Sequence, residues 1–151
     1  MHENFTLDIG ANANIIKAAD KLRQIVFIDE QGIPEEEIVD GLNLQTIHIV
    51  VFDNSEPIAT ARLLNNNDSN DSWRIGLVAV DKSRRGQHFG EKVMKAAIEY
   101  INLNDGREIL LTSQQQICGF YEKLGFAQCG EAKVFESGFV LVPMRLCLEP
   151  V

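Results

Sequence analysis

Residues 73–112 place the strongest constraint on what this chain can fold into. A strand-like run, Trp73-Arg74-Ile75-Gly76-Leu77-Val78-Ala79-Val80, passes into a basic, glycine-bearing turn and then at once into a helical pattern. Apolar residues at Phe89, Val93, Ala96, Ala97, Tyr100 and Ile101 share one helical stripe, which predicts a helix from about 89 to 103. Asp105-Gly106 ends it, and Arg107-Glu108-Ile109-Leu110-Leu111-Thr112 reads as the next strand. Strand, helix and strand in this order form a right-handed crossover between parallel strands. The end of the first strand is almost continuously apolar, so it is expected to be central and buried on both faces.

The flanking sequence has a different character. Residues 3–9 alternate apolar and polar and predict an edge strand. Asn12 or Asn14 can cap a helix over 13–29, whose apolar residues are Ile15, Ile16, Ala19, Leu22, Val26 and Phe27. Gly32 and Pro34 stop it, and Glu35-Glu36-Glu37 suits the first turn of a short second helix over 35–38. Residues 46–52 and 57–64 are β-rich and joined by the turn Asp53-Asn54-Ser55-Glu56; Asn65 to Asp71 is a polar loop. A shorter helix follows at 115–124, and β-like runs at 126–136 and 138–148 complete the chain. Antiparallel strands with one parallel crossover make a mixed α/β (α+β) fold rather than a doubly wound one. At 151 residues, with neither repeats nor a linker, residues 1–151 read as a single domain.

Charge narrows the partners. The formal net charge is -8, so the chain repels nucleic-acid phosphates, and no nucleic-acid partner is expected. Lys82, Arg84 and Arg85 form the one tight basic cluster, sized for a single phosphorylated cofactor. Cys118, Cys129 and Cys147 lack metal-ligand spacing and read as reduced thiols of a cytoplasmic protein; no metal is expected. No run approaches the roughly 20 apolar residues of a membrane helix, and the first twenty residues do not read as a signal peptide.

The turn carries the first chemistry. The leading N–H groups of a helix have no intrahelical partner and sit at the positive end of its dipole, so they suit a phosphate. Gly86 can take backbone angles closed to other residues, Gly90 permits close approach, and Arg84 and Arg85 can add charge-assisted bonds. The alternative is a plain helix start with solvated arginines. The turn lacks Gly-Lys-Ser/Thr and GxGxxG, which excludes the two commonest nucleotide loops.

Arg85-Gly86-Gln87-His88-Phe89-Gly90 resembles motif A of the GNAT acetyltransferases, Arg/Gln-x-x-Gly-x-Gly/Ala, with His88 in place of the middle glycine. Phe120-Tyr121-Glu122-Lys123-Leu124-Gly125-Phe126 resembles their motif B, Phe-Tyr-x-x-x-Gly-Phe. Val26 to Pro34, Asp40-Gly41, His48 and Ala61-Arg62-Leu63 resemble the ElaA-like branch, although Phe139-Val140-Leu141 stands where that branch has Ile-Pro-His.

The resemblance implies a GNAT acyl-CoA N-acyltransferase fold, in which a mostly antiparallel sheet holds one central parallel pair, here 73–80 and 107–112, splayed to admit acetyl-CoA, with helices on both faces. It implies acetyl transfer from acetyl-CoA to a small amine or peptide amine by direct attack. Leu77, Val78 and Val80 would hold pantetheine through their backbones, and Arg84, Arg85, Gly86, Gln87, His88, Phe89 and Gly90 the pyrophosphate, with Phe120 beside the cofactor. The amide of Val78 would stabilise the oxyanion, a term worth about 3 kcal/mol.

Tyr121 would protonate the departing CoA thiolate. A thiol titrates near 8.5 and a phenol near 10, which makes that transfer nearly balanced. Candidate bases are Glu30, His48 and Asp40. Glu30 also reads as a solvated carboxylate, and His48, between Ile47 and Ile49, also reads as a satisfied core histidine. Cys118 reads as core. The alternatives are a catalytically silent acyl-CoA-binding or regulatory domain and a nucleotide-phosphate module of another fold. A homodimer is common in the family.

Overall fold

The computed structural model describes residues 5–39, 41, 46–66, 71–135 and 138–149. They form two compact units, one from the spans Met1–Leu64 and Ile75–Tyr100, the other from Asn65–Arg74 and Ile101–Val151.

The first unit opens with strand β1 (Phe5–Gly10) and helix α1 (Ala13–Arg23). Asn12 caps α1, its Oδ1 accepting the amide of Ile15 at 2.9 Å, and Ile15, Ala19 and Leu22 are buried. The helical pattern expected over 13–29 does not stay α-helical: Gln24–Glu30 winds as a π-helix. Its wider turn leaves Val26 buried and ends where Gly32 takes φ +69. The short helix α2 (Glu35–Ile38) follows Pro34 as expected. Strands β2 (Ile47–Asp53) and β3 (Glu56–Asn65) pair antiparallel across a turn in which Asn54 holds φ +56. β1 covers the outer edge of β2, from Phe5↔Asp53 to Gly10↔His48. Val50 packs on Ile15 and Ala19 of α1.

Strand β4 (Ser72–Val80) contributes Ile75 onward to this unit, a 3-10 turn (Lys82–Arg84) follows, and helix α3 (Phe89–Leu103) begins there. The end of β4 departs from expectation. Ala79 is buried, against Leu22 and Val26, but Gly76, Leu77, Val78 and Val80 are only half-buried. Leu77 takes φ +49, a left-handed value that kinks the strand and breaks the two-faced burial its apolar run predicts.

The second unit holds the parallel pair. Ser72, Trp73 and Arg74 of β4 stand opposite Glu108, Ile109 and Leu110 of β5 (Glu108–Gln114). A 3-10 turn (Gln115–Ile117) leads into helix α4 (Cys118–Glu122), so the helix expected at 115–124 is split between two helical forms. Strand β8 (Val140–Cys147) pairs antiparallel with β5 along its length.

The single run expected at 126–136 is instead two short strands, β6 (Ala127–Gln128) and β7 (Lys133–Val134), both antiparallel to β8. Pro143 is the physical reason. It has no N–H to donate, so the partner chain leaves the ladder opposite it, and only the amide of Cys129 reaches its carbonyl, at 2.9 Å. Among the described residues, no helix is long and apolar enough to cross a membrane.

Candidate active site

The turn after β4 is built in layers. The amide of Asp81 donates to the carbonyl of Ile58 at 2.9 Å, fixing the strand end on β3. Gly86 then takes φ +80 and His88 φ +68, so the backbone turns twice through left-handed values within three residues. Phe89 opens α3 with its ring buried edge-on against Phe5, centroids 4.9 Å apart. The first α-helical bond runs from Lys92 to the carbonyl of His88 at 3.0 Å, so the amides of Phe89, Gly90 and Glu91 have no partner inside the helix. Apart from Gly86 and its chain neighbours, no atom stands within 4 Å of where a Cβ on Gly86 would lie. An open depression of about 730 Å³ adjoins this helix mouth, lined by Phe5, Gln87, His88, Phe89, Glu91, Lys92 and Lys95.

Both arginines of the turn are engaged by carboxylates. Arg84 pairs with Asp53 of the β2–β3 turn. Arg85 donates Nη1 to Glu30 Oε2 at 2.6 Å and Nη2 to Glu30 Oε1 at 2.7 Å, while its Nε reaches the carbonyl of Val80 at 3.1 Å. This bidentate pairing holds the Glu30 carboxyl below its ordinary value and raises that of Arg85. The imidazole of His88 is 85% exposed and lies 3.4 Å from the Glu91 carboxylate.

His48 is fully buried on β2. Its Nδ1 lies 2.8 Å from Arg23 Nη2 and its Nε2 2.9 Å from Thr46 Oγ1. A guanidinium only donates, so Nδ1 accepts, which leaves the imidazole proton on Nε2 and donated to Thr46. Both ring nitrogens are thus occupied inside the core. Arg62 stands opposite His48 in the β2–β3 ladder, half-buried. Asp40 lies outside the described residues.

In the second unit, Phe120 and Tyr121 sit on α4. Tyr121 is 8% exposed, with its ring edge-on to Phe120 at 5.0 Å and to Phe126 at 6.0 Å. Burial, with a smaller contribution from Cys118, pushes its phenol up to about 12. A buried phenol gives up its proton less readily than a free one.

Two participants escape a reading of the sequence alone. Asp53, taken there only as a turn residue, holds Arg84 from 31 positions away. Arg23 is a buried cation whose one signal is helical phase, since it shares a face with Ala19 and Val26.

A family model described as the acetyltransferase (GNAT) domain matches residues 26–148. The chain belongs to the GNAT acetyltransferases. Within that family it falls in the ElaA-like branch. It is 32% identical to the protein ElaA of Escherichia coli over 108 residues, 70% of this chain and 71% of ElaA. The crystal structure of E. coli ElaA superimposes with a TM-score of 0.85 at 25% identity, covering 95% of this chain and 99% of that one. The uncharacterized N-acetyltransferase YjcF of Bacillus subtilis is 31% identical over 137 residues, 86% of this chain and 91% of YjcF.

An aminoglycoside 6'-N-acetyltransferase complexed with coenzyme A shares the fold at 15% identity, with a TM-score of 0.75 over 98% of each chain. The GNAT chain described here is thus an acetyl-CoA-dependent acetyltransferase, built on the mixed sheet with one parallel pair that the family shares.

Proposed function

We propose that this GNAT enzyme moves the acetyl group of acetyl-CoA to a primary amine by direct attack. The observation that carries the reading is the geometry of the turn. Gly86 and His88 hold φ +80 and +68 immediately before a fifteen-residue helix whose leading amides have no intrahelical partner. Such an arrangement suits a diphosphate, and the space beside Gly86 leaves room for one. Bound there, acetyl-CoA supplies an activated acyl group and a thiolate leaving group.

The chain's own residues take the remaining roles. The amides of residues 86–90 hold the pyrophosphate. The backbone of Leu77, Val78 and Val80, half-buried where β4 kinks, receives pantetheine as an added strand would. The amide of Val78 donates to the acyl oxygen. Tyr121 protonates the leaving sulfur, and Phe120 packs beside the cofactor. A phenol raised to about 12 remains matched to this task because desolvation that raises a phenol also raises a thiol.

The saturated ring of His48 supports a structural role for that residue. The acceptor is a cationic amine, small or at a peptide terminus, drawn by the net charge of -8 and deprotonated before attack. Three free cysteines, two of them exposed, support a cytoplasmic location. The test has two arms. Isothermal titration with CoA and with ATP should show CoA binding the tighter. A panel of amines assayed by free-thiol release from acetyl-CoA should identify acceptors. Tighter binding of ATP, or no thiol release above background with any amine, would overturn the proposal.

A further inference from the structure

Accepting that residues 86–90 hold the CoA pyrophosphate, we infer that Glu30 acts as a positioning residue for that turn by clamping Arg85, and that the two arginines brace the turn while backbone amides grip the phosphates.

Geometry carries this assignment. Both oxygens of Glu30 accept from Arg85, at 2.6 and 2.7 Å, so the guanidinium fixes the carboxylate's orientation and stabilises its charged form, which makes it a weak proton acceptor. The same pairing lowers the carboxyl further from the range useful for a base near neutral pH. Arg85 spends its Nε on the carbonyl of Val80, the last residue of β4. A single guanidinium therefore ties three places together: the strand end, the turn and the last residue of the π-helix.

The π-helix is attached to β4 at a second point. Val26 packs against Ala79 within one buried cluster. An apolar contact on the inside and a bidentate ion pair on the outside thus staple Gln24–Glu30 to the strand that leads into the turn. The wide π turn sets the phase between these two contacts. Asp53 holds Arg84 from the β2–β3 hairpin, so carboxylates from two separate elements secure adjacent arginines. The left-handed backbone at Gly86 and His88, strained at His88, stays in place because its flanks are fixed on both sides.

A phosphate bound at the amides gains from this preorganisation without displacing either ion pair. Arg85 makes these bonds with three of its five N–H groups, which leaves two for the ligand's charge.

The experiment is a double-mutant cycle on the full chain, with Glu30→Gln, Arg85→Ala and the double variant. CoA dissociation constants come from calorimetry, kcat and KM for acetyl-CoA from thiol release, and exchange of the amides of residues 86–90 from NMR on the free protein. A brace predicts that each single variant weakens CoA binding and raises KM about tenfold, while the double variant is within about threefold of the worse single, as coupled partners behave. It also predicts faster amide exchange in both single variants, Glu30→Asp restoring part of the affinity, and the acidic limb of the kcat/KM profile surviving in Glu30→Gln.

Additive losses, unchanged exchange, or a collapse of kcat with loss of that limb at unaltered CoA affinity would each overturn the inference. If the unaltered protein fails to bind CoA, the proposed function falls, and the exchange data still decide whether the pair braces the turn.

Discussion

Arg23 donates through Nη2 to Nδ1 of His48 at 2.8 Å, and both side chains lie inside the core, 2% and 0% exposed. The pair joins the last turn of α1 to β2. Asp20, one helical turn earlier, lies 3.5 Å from Arg23 Nη1 at the half-exposed end of the network. His48 is therefore expected to contribute stability. His48→Ala removes the acceptor from a buried guanidinium and leaves a cavity, a combined loss of about 3 kcal/mol. Urea denaturation should show a lower midpoint at an unchanged m-value. A change below about 0.5 kcal/mol, the level of an ordinary surface substitution, would rule this out.

Gly106 separates two kinds of glycine in the second unit. A Cβ there would lie 2.3 Å from Ile101 Cγ2 and 2.9 Å from the carbonyl oxygen of the same residue, with Trp73 Cδ1 at 3.0 Å. The Gly106 amide also closes on that carbonyl at 2.9 Å, so the backbone has nowhere to retreat. Gly106→Ala should cost about 2 kcal/mol through overpacking. Gly119 on α4 has nothing within 4 Å of its added methyl group, and Gly119→Ala should gain about 0.5 kcal/mol from helix propensity. Thermal melts of both variants against the parent check the opposite signs.

How much of this could be read beforehand follows from where the cause of each feature lies. The Asn12 cap, the Asp53–Glu56 turn and the strand–turn–helix at 73–103 depend on neighbouring residues, and local pattern conveys them. The π-helix does not announce itself, because the apolar residues through Val26 and Phe27 fit an α-helical period as well. The break between β6 and β7 is caused by Pro143, which sits in the partner strand, so a reading of 126–136 alone misses it. Glu30 and Arg85 are 55 residues apart, and only the fold reveals that a candidate base and a candidate phosphate ligand are each other's partner. For His48 the Ile-His-Ile pattern left core and catalysis equally open, and the buried Arg23 distinguishes them.

Tyr121 makes a prediction about alkaline pH. Its phenol titrates at about 12 in the fold against about 10 in an unfolded chain, chiefly through burial. The folded protein therefore keeps a proton that the unfolded chain releases. The associated stability is fully present below pH 10 and is lost as pH rises towards 12. The amount is about 2–3 kcal/mol, from about 1.4 kcal/mol per unit. Urea unfolding at pH 9 and pH 11 should show a decline that is shallower in Tyr121→Phe by about 1.4 kcal/mol, since only the span from pH 10 to 11 of that loss falls between the two measurements. In the assay, ionisation of Tyr121 should produce no alkaline limb below about pH 11, while Tyr121→Phe should lower kcat by about 10²-fold, the scale of one general acid. Equal kcat in the two proteins would remove Tyr121 from the mechanism.

His88 stands where the family motif has glycine, and its φ of +68 shows what that glycine is for. A side chain in this left-handed region costs roughly 1 kcal/mol, less for His than for most residues, and the exposed imidazole recovers little of it. His88→Gly relieves the strain and keeps the backbone amide. Part of the gain is offset by the freer unfolded chain, so the net stabilisation should be about 0.5 kcal/mol. His88→Ala retains the Cβ and the strain, and it should be less stable than either. CoA should bind the glycine variant more tightly than the alanine variant, because a turn that holds its bound shape without strain gives up less on binding. Melting temperatures and CoA titrations on the three proteins test both orderings. An alanine variant equal to the glycine variant in both would show that the backbone angle at 88 does not limit the turn.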